Sequence, residues 1–369
     1  MRRKLKVKSK ARSDYLIMTC LALLVAFGLA MLASASSHLG TTKFGDPYYY
    51  LKHQLIYGLS IGLIGYFIMS KIYYRRLEKY ALVALIISIG LLALVFTPLG
   101  VQAKGAARWL ALGPITFQPS EIVKLTFIIY LAAWLSGERE REKKLWTGFL
   151  PFLLVLGLIA GLLLYQPSTS AAAIFIFTAL AVYFAGGARL RYLTLIGITA
   201  LLGLLLIIYL TPYRWERILS FLEPETNLET TGFHRSQALI AIGSGGLKGV
   251  GFGQSTTKIS YLPEPIGDSI FAVAAEEFGF IGSSVIILIF FILVLRIFLL
   301  ARRCPDKFGQ LLLTGFGILI AIQTFIHVGA ISGLLPLTGT PLPFVSYGGT
   351  ALAVFMTMGG IIVNISKYS

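Results

Sequence analysis

The feature that most constrains this chain is an apolar run of bilayer length that keeps recurring. Tyr15 to Ser34 holds no charged side chain, and roughly 20 such residues are what a helix needs to cross the hydrocarbon layer. Comparable runs follow near 53–70, 80–97, 119–135, 147–165, 170–186, 190–210, 270–295, 310–332 and 350–366. A segment in lipid must satisfy its backbone polar groups internally, so these runs are expected to be helices. Composition closes off the alternatives. Only 13% of residues are charged and 56% are hydrophobic, against about 25% charged in soluble domains. That excludes a cytosolic enzyme, a disordered chain and a secreted disulfide scaffold. The two cysteines, Cys20 and Cys304, offer neither a disulfide framework nor metal-ligand spacing. The expected architecture is all-α and polytopic, with ten transmembrane helices: a basic tail over 1–14, then one membrane domain over 15–369. The first run is too long for a signal-peptide core and is followed by many spans, so it is read as an uncleaved helix.

The net charge of +16 requires no nucleic acid, because basic loops hold helix ends on the cytoplasmic side. With the N-terminus inside, the tail, the alternate loops and the C-terminus on that face carry 22 of the 32 Lys and Arg. The opposite face carries 9, and Lys124 lies within a span. The split predicts a multi-pass membrane protein with both termini cytoplasmic. It also places one long loop outside, residues 211–267, between spans seven and eight. That loop carries Arg214, Arg217, His234, Arg235, Lys248 and Lys258, and is dense in glycine from Gly243 to Gly253. Ala238 to Ile242 is apolar enough to predict short helices packed on the membrane. No internal repeat is visible, which weighs against an inverted-repeat transporter.

Charge at membrane depth is costly and marks functional candidates. Glu121 and Lys124, at the start of the fourth span, are three residues apart and share a helix face. They read either as a neutralising ion pair or as substrate contacts. Asp268 stands where the long loop enters the eighth span, with Glu276 further along the same face. It reads as a helix cap or as a carboxylate placed to accept a proton. The glycine run lacks the endings of the known phosphate loops. It reads as tight turns, or as a cradle of amides that holds a diphosphate with Lys248 and Lys258. Lys104 and Arg108, in the external loop before Trp109, are matched to lipid head groups or to substrate. Gly339 to Thr350 is broken by Pro341, Pro343, Gly348 and Gly349, and such backbone survives at depth only when covered by protein or lining a cavity. His327 in the ninth span reads as a hydrogen-bonded interhelical histidine.

Four stretches resemble one family. They are Gln118-Pro119-Ser120-Glu121-x-x-Lys124, Ala241-Ile242-Gly243-Ser244-Gly245-Gly246-Leu247 with Gly249, Gly251, Gly253 and Ser255, Tyr261-Leu262-Pro263-Glu264 with Asp268, Ile270, Phe271 and Ala272, and Pro341-Leu342-Pro343-Phe344-x-Ser346-Tyr347-Gly348-Gly349. Together they resemble the SEDS proteins typified by RodA and FtsW, in the family's order and across essentially the whole chain. The resemblance implies a peptidoglycan glycosyltransferase that polymerises lipid II outside the cytoplasmic membrane, in division or cell-shape maintenance. It also implies a class B penicillin-binding protein as partner. Asp268 matches the aspartate essential for polymerisation, and Arg108, Glu121 and Lys124 match positions tied to activity. The substrate-binding candidates are then Arg108, Glu121, Lys124, Lys258, Glu264 and Ser346. Arg108 and Lys258 are the expected partners of the diphosphate, with Mg or Mn as a possible helper that no motif demands. The chain departs from the family at Ile266-Gly267, at Ser168 and at His327. Ser255-x-x-Lys258 and the Pro-Glu-Pro triplet look more like the FtsW branch. The rival reading is a flippase for the same lipid-linked precursor, gated by the Glu121–Lys124 pair; a scaffold for a synthase is a third.

Overall fold

The computed structural model describes residues 13–103, 106–113, 115–137, 140–223 and 231–369. Each expected span has a helix in its place: α1 Tyr15–Phe44, α2 Tyr49–Lys71, α3 Arg76–Leu94, α4 Pro119–Gly137, α5 Leu145–Tyr165, α6 Thr169–Ala185 and α7 Leu190–Leu210. After the long loop come α11 Ile270–Arg303, α12 Lys307–Ile331 and α13 Gly349–Ser366. Among the described residues nine of these are long and apolar enough to cross a bilayer, and α6 falls just short at 17 residues. The long loop contributes α8 Pro212–Leu222, α9 Thr231–Ser244 and α10 Thr257–Ser260. The short helices expected around Ala238 are therefore present.

Two spans are longer than their apolar runs. Helix α1 continues to Phe44 and stops where Gly45 takes a left-handed φ of 69° and returns its N–H to Thr41 O, a closure that glycine makes without strain. Helix α11 covers 34 residues but breaks at Gly279, where φ is 67° and ψ is −165°. From there to Arg303, at 1.5 Å per residue, the helix measures about 37 Å, enough by itself for the bilayer. The two turns before the break, with Glu276 and Glu277, form a separate cap on the span.

The bundle is arranged around α13, 83% of whose spanning window is buried, while α7 lies at the edge with 6% buried. One feature was not expected. The loop after α3 folds into a small antiparallel sheet, β1 Gly100–Ala103, β2 Ala106–Leu112 and β3 Ile115–Phe117. On the opposite side of the spans, Asp14 caps α1 and pairs with Arg296 at 2.6 Å. Glu142 pairs with Lys307 at 3.4 Å.

The broken stretch between α12 and α13, residues 332–348, is covered by protein as its composition requires. Gln323 Nε2 donates to Pro341 O at 2.8 Å, and His327 Nδ1 lies 2.6 Å from Thr340 O. Gly348 N–H donates to Gln54 Oε1 at 3.1 Å. Gln54 opens a π-helical turn of α2, Gln54–Leu59, and such turns recur at functional positions. Helix α1 presses against the same stretch: a Cβ at Gly28 would stand 2.6 Å from Phe344 O.

Candidate active site

Asp268 sits in a turn that its neighbours over-determine. Glu264 adopts a left-handed φ of 50°, and its carbonyl accepts from both Gly267 N–H and Ser269 N–H at 3.1 Å. Ser269 donates its hydroxyl to Pro263 O at 2.7 Å, and His234 Nε2 lies 2.7 Å from the same Oγ. Because that hydroxyl proton is already engaged, His234 must be the donor, which assigns its proton to Nε2. Ser269, not Asp268, occupies the N-cap position of α11, so capping does not explain the aspartate. The turn is fixed from below by the broken stretch: Ser346 Oγ donates to Gly267 O at 2.8 Å, and Tyr347 N–H donates to Ile266 O at 2.9 Å. Gly339, at φ 62°, lies against the carboxylate; a Cβ there would be 3.1 Å from Asp268 Oδ2. Asp268, His234, His327, Gly339 and Thr340 line one small cavity.

Two candidates prove to position this turn. Ser346 was expected to touch substrate, but it is buried, and its Oγ also accepts from Leu342 N–H at 2.8 Å. Both capacities of the hydroxyl hold backbone. The carbonyl of Glu264 shapes the Asp268 turn. Tyr347, with its hydroxyl 3.1 Å from His53 Nδ1, has its pKa pushed up to about 12 by burial and then by Tyr50 and Tyr49. It is a neutral hydrogen-bonding group at any physiological pH.

Glu121 and Lys124 form the ion pair expected of them, at 2.8 Å with both side chains buried. Lys124 Nζ also donates to Gln323 Oε1 at 2.9 Å, and Gln323 carries the chain to Pro341 O. The pair thus acts on the broken stretch two residues from Gly339. A charge-assisted hydrogen bond of this kind contributes about 1.5–3 kcal/mol. Gln323 was not singled out from the sequence, although an amide inside an apolar run is a signal in its own right.

The glycine run repairs the break in α11. Val250 N–H and Gly251 N–H donate to Glu276 O and Glu277 O, each at 3.0 Å, while Phe280 N–H and Ile281 N–H donate to Gly246 O and Leu247 O at 2.8 and 3.1 Å. These are the groups orphaned where the helix stops. Contact is so close that a Cβ at Gly249 (φ 82°) would lie 2.1 Å from Glu277 O. The amides expected to cradle a diphosphate at Val250 and Gly251 are therefore already bonded.

Lys258 departs from expectation in the same way. Its Nζ lies 2.7 Å from Glu277 Oε1, 2.7 Å from Ser34 Oγ and 2.9 Å from Gly253 O, with the lysine side chain 5% exposed and that of Glu277 0%. Ser34 Oγ in turn donates to Glu277 Oε1 at 2.5 Å. A lysine so enclosed does not present its charge to an external diphosphate. Glu276 is not idle on the aspartate's face either. It accepts from Ser255 Oγ at 2.5 Å, from Thr256 N–H at 3.1 Å and from the Thr257 hydroxyl, holding the turn that starts α10.

Arg108 projects from β2 to the turn between α5 and α6, where Nε donates to Gln166 O at 3.2 Å and Nη2 to Pro167 O at 2.5 Å. Ser170, just beyond that turn, donates to Thr338 O at 2.7 Å, beside Gly339. Lys104 lies outside the described residues. Among the described residues no three His, Cys, Asp or Glu side chains gather as a metal site.

Comparison with known proteins gives a consistent result. The FtsW/RodA/SpoVE family model, described as cell cycle protein, matches residues 14–369. A probable peptidoglycan glycosyltransferase FtsW from Geobacter sulfurreducens is 40% identical over 366 residues, covering 98% of this chain and 97% of that one. The stage V sporulation protein E of Bacillus subtilis is 36% identical over 361 residues, 98% of each. Among solved structures, a chain from a peptidoglycan synthase complex that coordinates polymerisation and crosslinking superposes with TM-score 0.78 at 30% identity, over 96% of this chain and 97% of that one. Thermus thermophilus rod shape determining protein RodA superposes with TM-score 0.68 at 29% identity, over 95% of this chain and 96% of that one.

Proposed function

The chain belongs to the FtsW/RodA/SpoVE family of cell cycle proteins, and from that premise we propose that it is a peptidoglycan glycosyltransferase polymerising lipid II at the outer face of the cytoplasmic membrane. The observation that carries the reading is the Asp268 turn. Its carboxylate faces a cavity, and the turn that carries it is held from two other parts of the chain: by Ser346 and Tyr347 at Gly267 O and Ile266 O, and by His234 at the Ser269 hydroxyl. Such rigid placement is what general-base catalysis needs.

In the proposed reaction the acceptor sugar hydroxyl attacks the anomeric carbon of the donor, and the bond to the diphosphate oxygen breaks. Asp268 takes the hydroxyl proton, and the electron pair leaves with the polyprenyl diphosphate. Glu121 and Lys124 set the broken stretch beneath the aspartate through Gln323 and Pro341. Arg108 ties the external sheet to the α5–α6 turn. Helices open to lipid on their outer faces suit a substrate whose polyprenyl tail stays in the bilayer. Both termini are assigned to the cytoplasm by the basic-residue split. A class B penicillin-binding protein is the proposed partner, supported by the likeness to a synthase complex. Greater identity to the FtsW relative than to RodA favours a role in division.

The deciding experiment presents purified protein with labelled lipid II, with and without the penicillin-binding partner. Glycan strands formed in detergent support the polymerase. Lipid II moved across vesicles without polymer replaces it with the flippase.

A further inference from the structure

The cavity of Asp268 is lined by a second side chain whose hydrogen bonding is only half used. His327 projects from α12 and is 1% exposed. Its Nδ1 lies 2.6 Å from Thr340 O. A carbonyl only accepts, so Nδ1 carries the ring proton, and Nε2 of the neutral ring keeps its lone pair. That Nε2 is buried with no hydrogen-bond partner among the described residues. The contact with Thr340 accounts for one ring nitrogen and leaves the other unexplained, although buried polar atoms are normally satisfied.

Successive residues of the broken stretch set the two acceptors. Gly339 lies against the Asp268 carboxylate, and Thr340 holds the His327 ring. Other polar groups of the lining are engaged with one another or with the turn. The Thr338 and Thr340 hydroxyls lie 3.0 Å apart, and His234 Nε2 is taken by Ser269. The cavity holds about 10 Å³, room for one group of a water molecule's size. A hydroxyl at the edge of a sugar can enter it, and the sugar ring cannot. A carboxylate and an uncharged lone pair on one cavity match a ligand with two donors side by side. Neighbouring hydroxyls of a sugar have that arrangement.

We propose that His327 Nε2 accepts a hydrogen bond from the acceptor sugar, at the hydroxyl next to the one that attacks. The inference rests on the reading of this protein as a lipid II polymerase and deepens it. Asp268 takes the proton of the attacking hydroxyl, while His327 holds the neighbouring hydroxyl and so fixes which of the two meets the carboxylate. A buried acceptor of this kind discriminates against a substrate that lacks the matching donor, because the acceptor is then left unpaired.

The test is polymerisation by the full chain in detergent, with lipid II or with an analogue that lacks the hydroxyl next to the attacking one. In His327→Asn the side-chain amide stands where Nδ1 was, so the donor to Thr340 O is kept and Nε2 alone is removed. That variant should melt close to the wild type, and its kcat/KM for lipid II should fall on the order of 10-fold, the scale of one lost hydrogen bond. The wild type should prefer lipid II to the analogue by about the same factor. His327→Asn should treat the two alike, because the deletions remove the two halves of one bond. A variant with the wild-type rate and preference overturns the assignment and leaves His327 the single task of holding Thr340. A wild type that uses the analogue as well as lipid II overturns it too, as does a preference undiminished in the variant. Should His327→Asn fail to fold, His327→Phe, which keeps a ring in place, carries the same comparison. Equilibrium binding of the two labelled compounds to the same proteins should show the same pattern. If neither compound yields polymer, the polymerase reading falls and the binding comparison alone decides the role of His327.

Discussion

Replacing Lys258 by methionine separates a lysine that serves the fold from one that serves the substrate. The ammonium has three acceptors within 2.9 Å, one of them the Glu277 carboxylate, whose side chain has no exposed surface. Removing it leaves that carboxylate with Ser34 alone, while its Oε2 already has no partner among the described residues. Breaking a buried ion pair by removing one partner costs about 3–5 kcal/mol. Lys258→Met should therefore lower the melting temperature of the detergent-solubilised protein markedly. Glu277→Gln should do the same, because a buried ammonium then lacks its counter-charge. The double variant Lys258→Met with Glu277→Gln should recover most of the loss, since similar-sized neutral groups remove both desolvation penalties. Polymerisation should return with stability. The reasoning fails if Lys258→Met melts like the wild type yet makes no polymer, for then the lysine contacts substrate. It fails equally if the double variant is no more stable than the worse single one.

Asp268→Asn should melt within error of the wild type and lose ~10²-fold or more of its polymerisation rate, the scale of an absent general base; a normal rate in a folded variant ends the assignment. Gly249→Ala should destabilise by about 3 kcal/mol or more, since a Cβ would meet Glu277 O at 2.1 Å at a left-handed φ; normal melting would show that the glycine run does not brace the α11 break. Gln323→Leu should cost about 1–3 kcal/mol by taking one acceptor from Lys124 and the donor from Pro341 O, and should lower kcat with little change in KM. A raised KM alone would instead place Gln323 or Lys124 on the substrate.

The spans were legible because each apolar run carries its own instruction: lipid leaves a long uncharged segment little choice but helix. The motif residues were legible as candidates for the same reason, being polar where polarity is costly. Apart from the Glu121–Lys124 pair, their partners were not. Lys258 reads as an exposed loop cation until Glu277 and Ser34 close on it, and Ser34 is 224 residues away. Ser346 reads as a free hydroxyl until its distant partner, Gly267 O, is known. The break at Gly279 was hidden within a run that looks continuously helical, so the glycine stretch that mends it had no visible purpose. The sheet of β1, β2 and β3 lacks the strict alternation that announces a strand.

These hidden contacts share a location. Gly279, the glycine run and the stretch around Pro341 all lie where the backbone leaves the helix. There the orphaned amides and carbonyls must find partners elsewhere in the chain. Each partner found also fixes a position, and the pins on Ile266 and Gly267 do so for Asp268. The broken backbone that lipid penalises is therefore what gives the carboxylate its rigid mount. Substitutions that re-form regular helix between α12 and α13 would relieve the local backbone and misplace the aspartate.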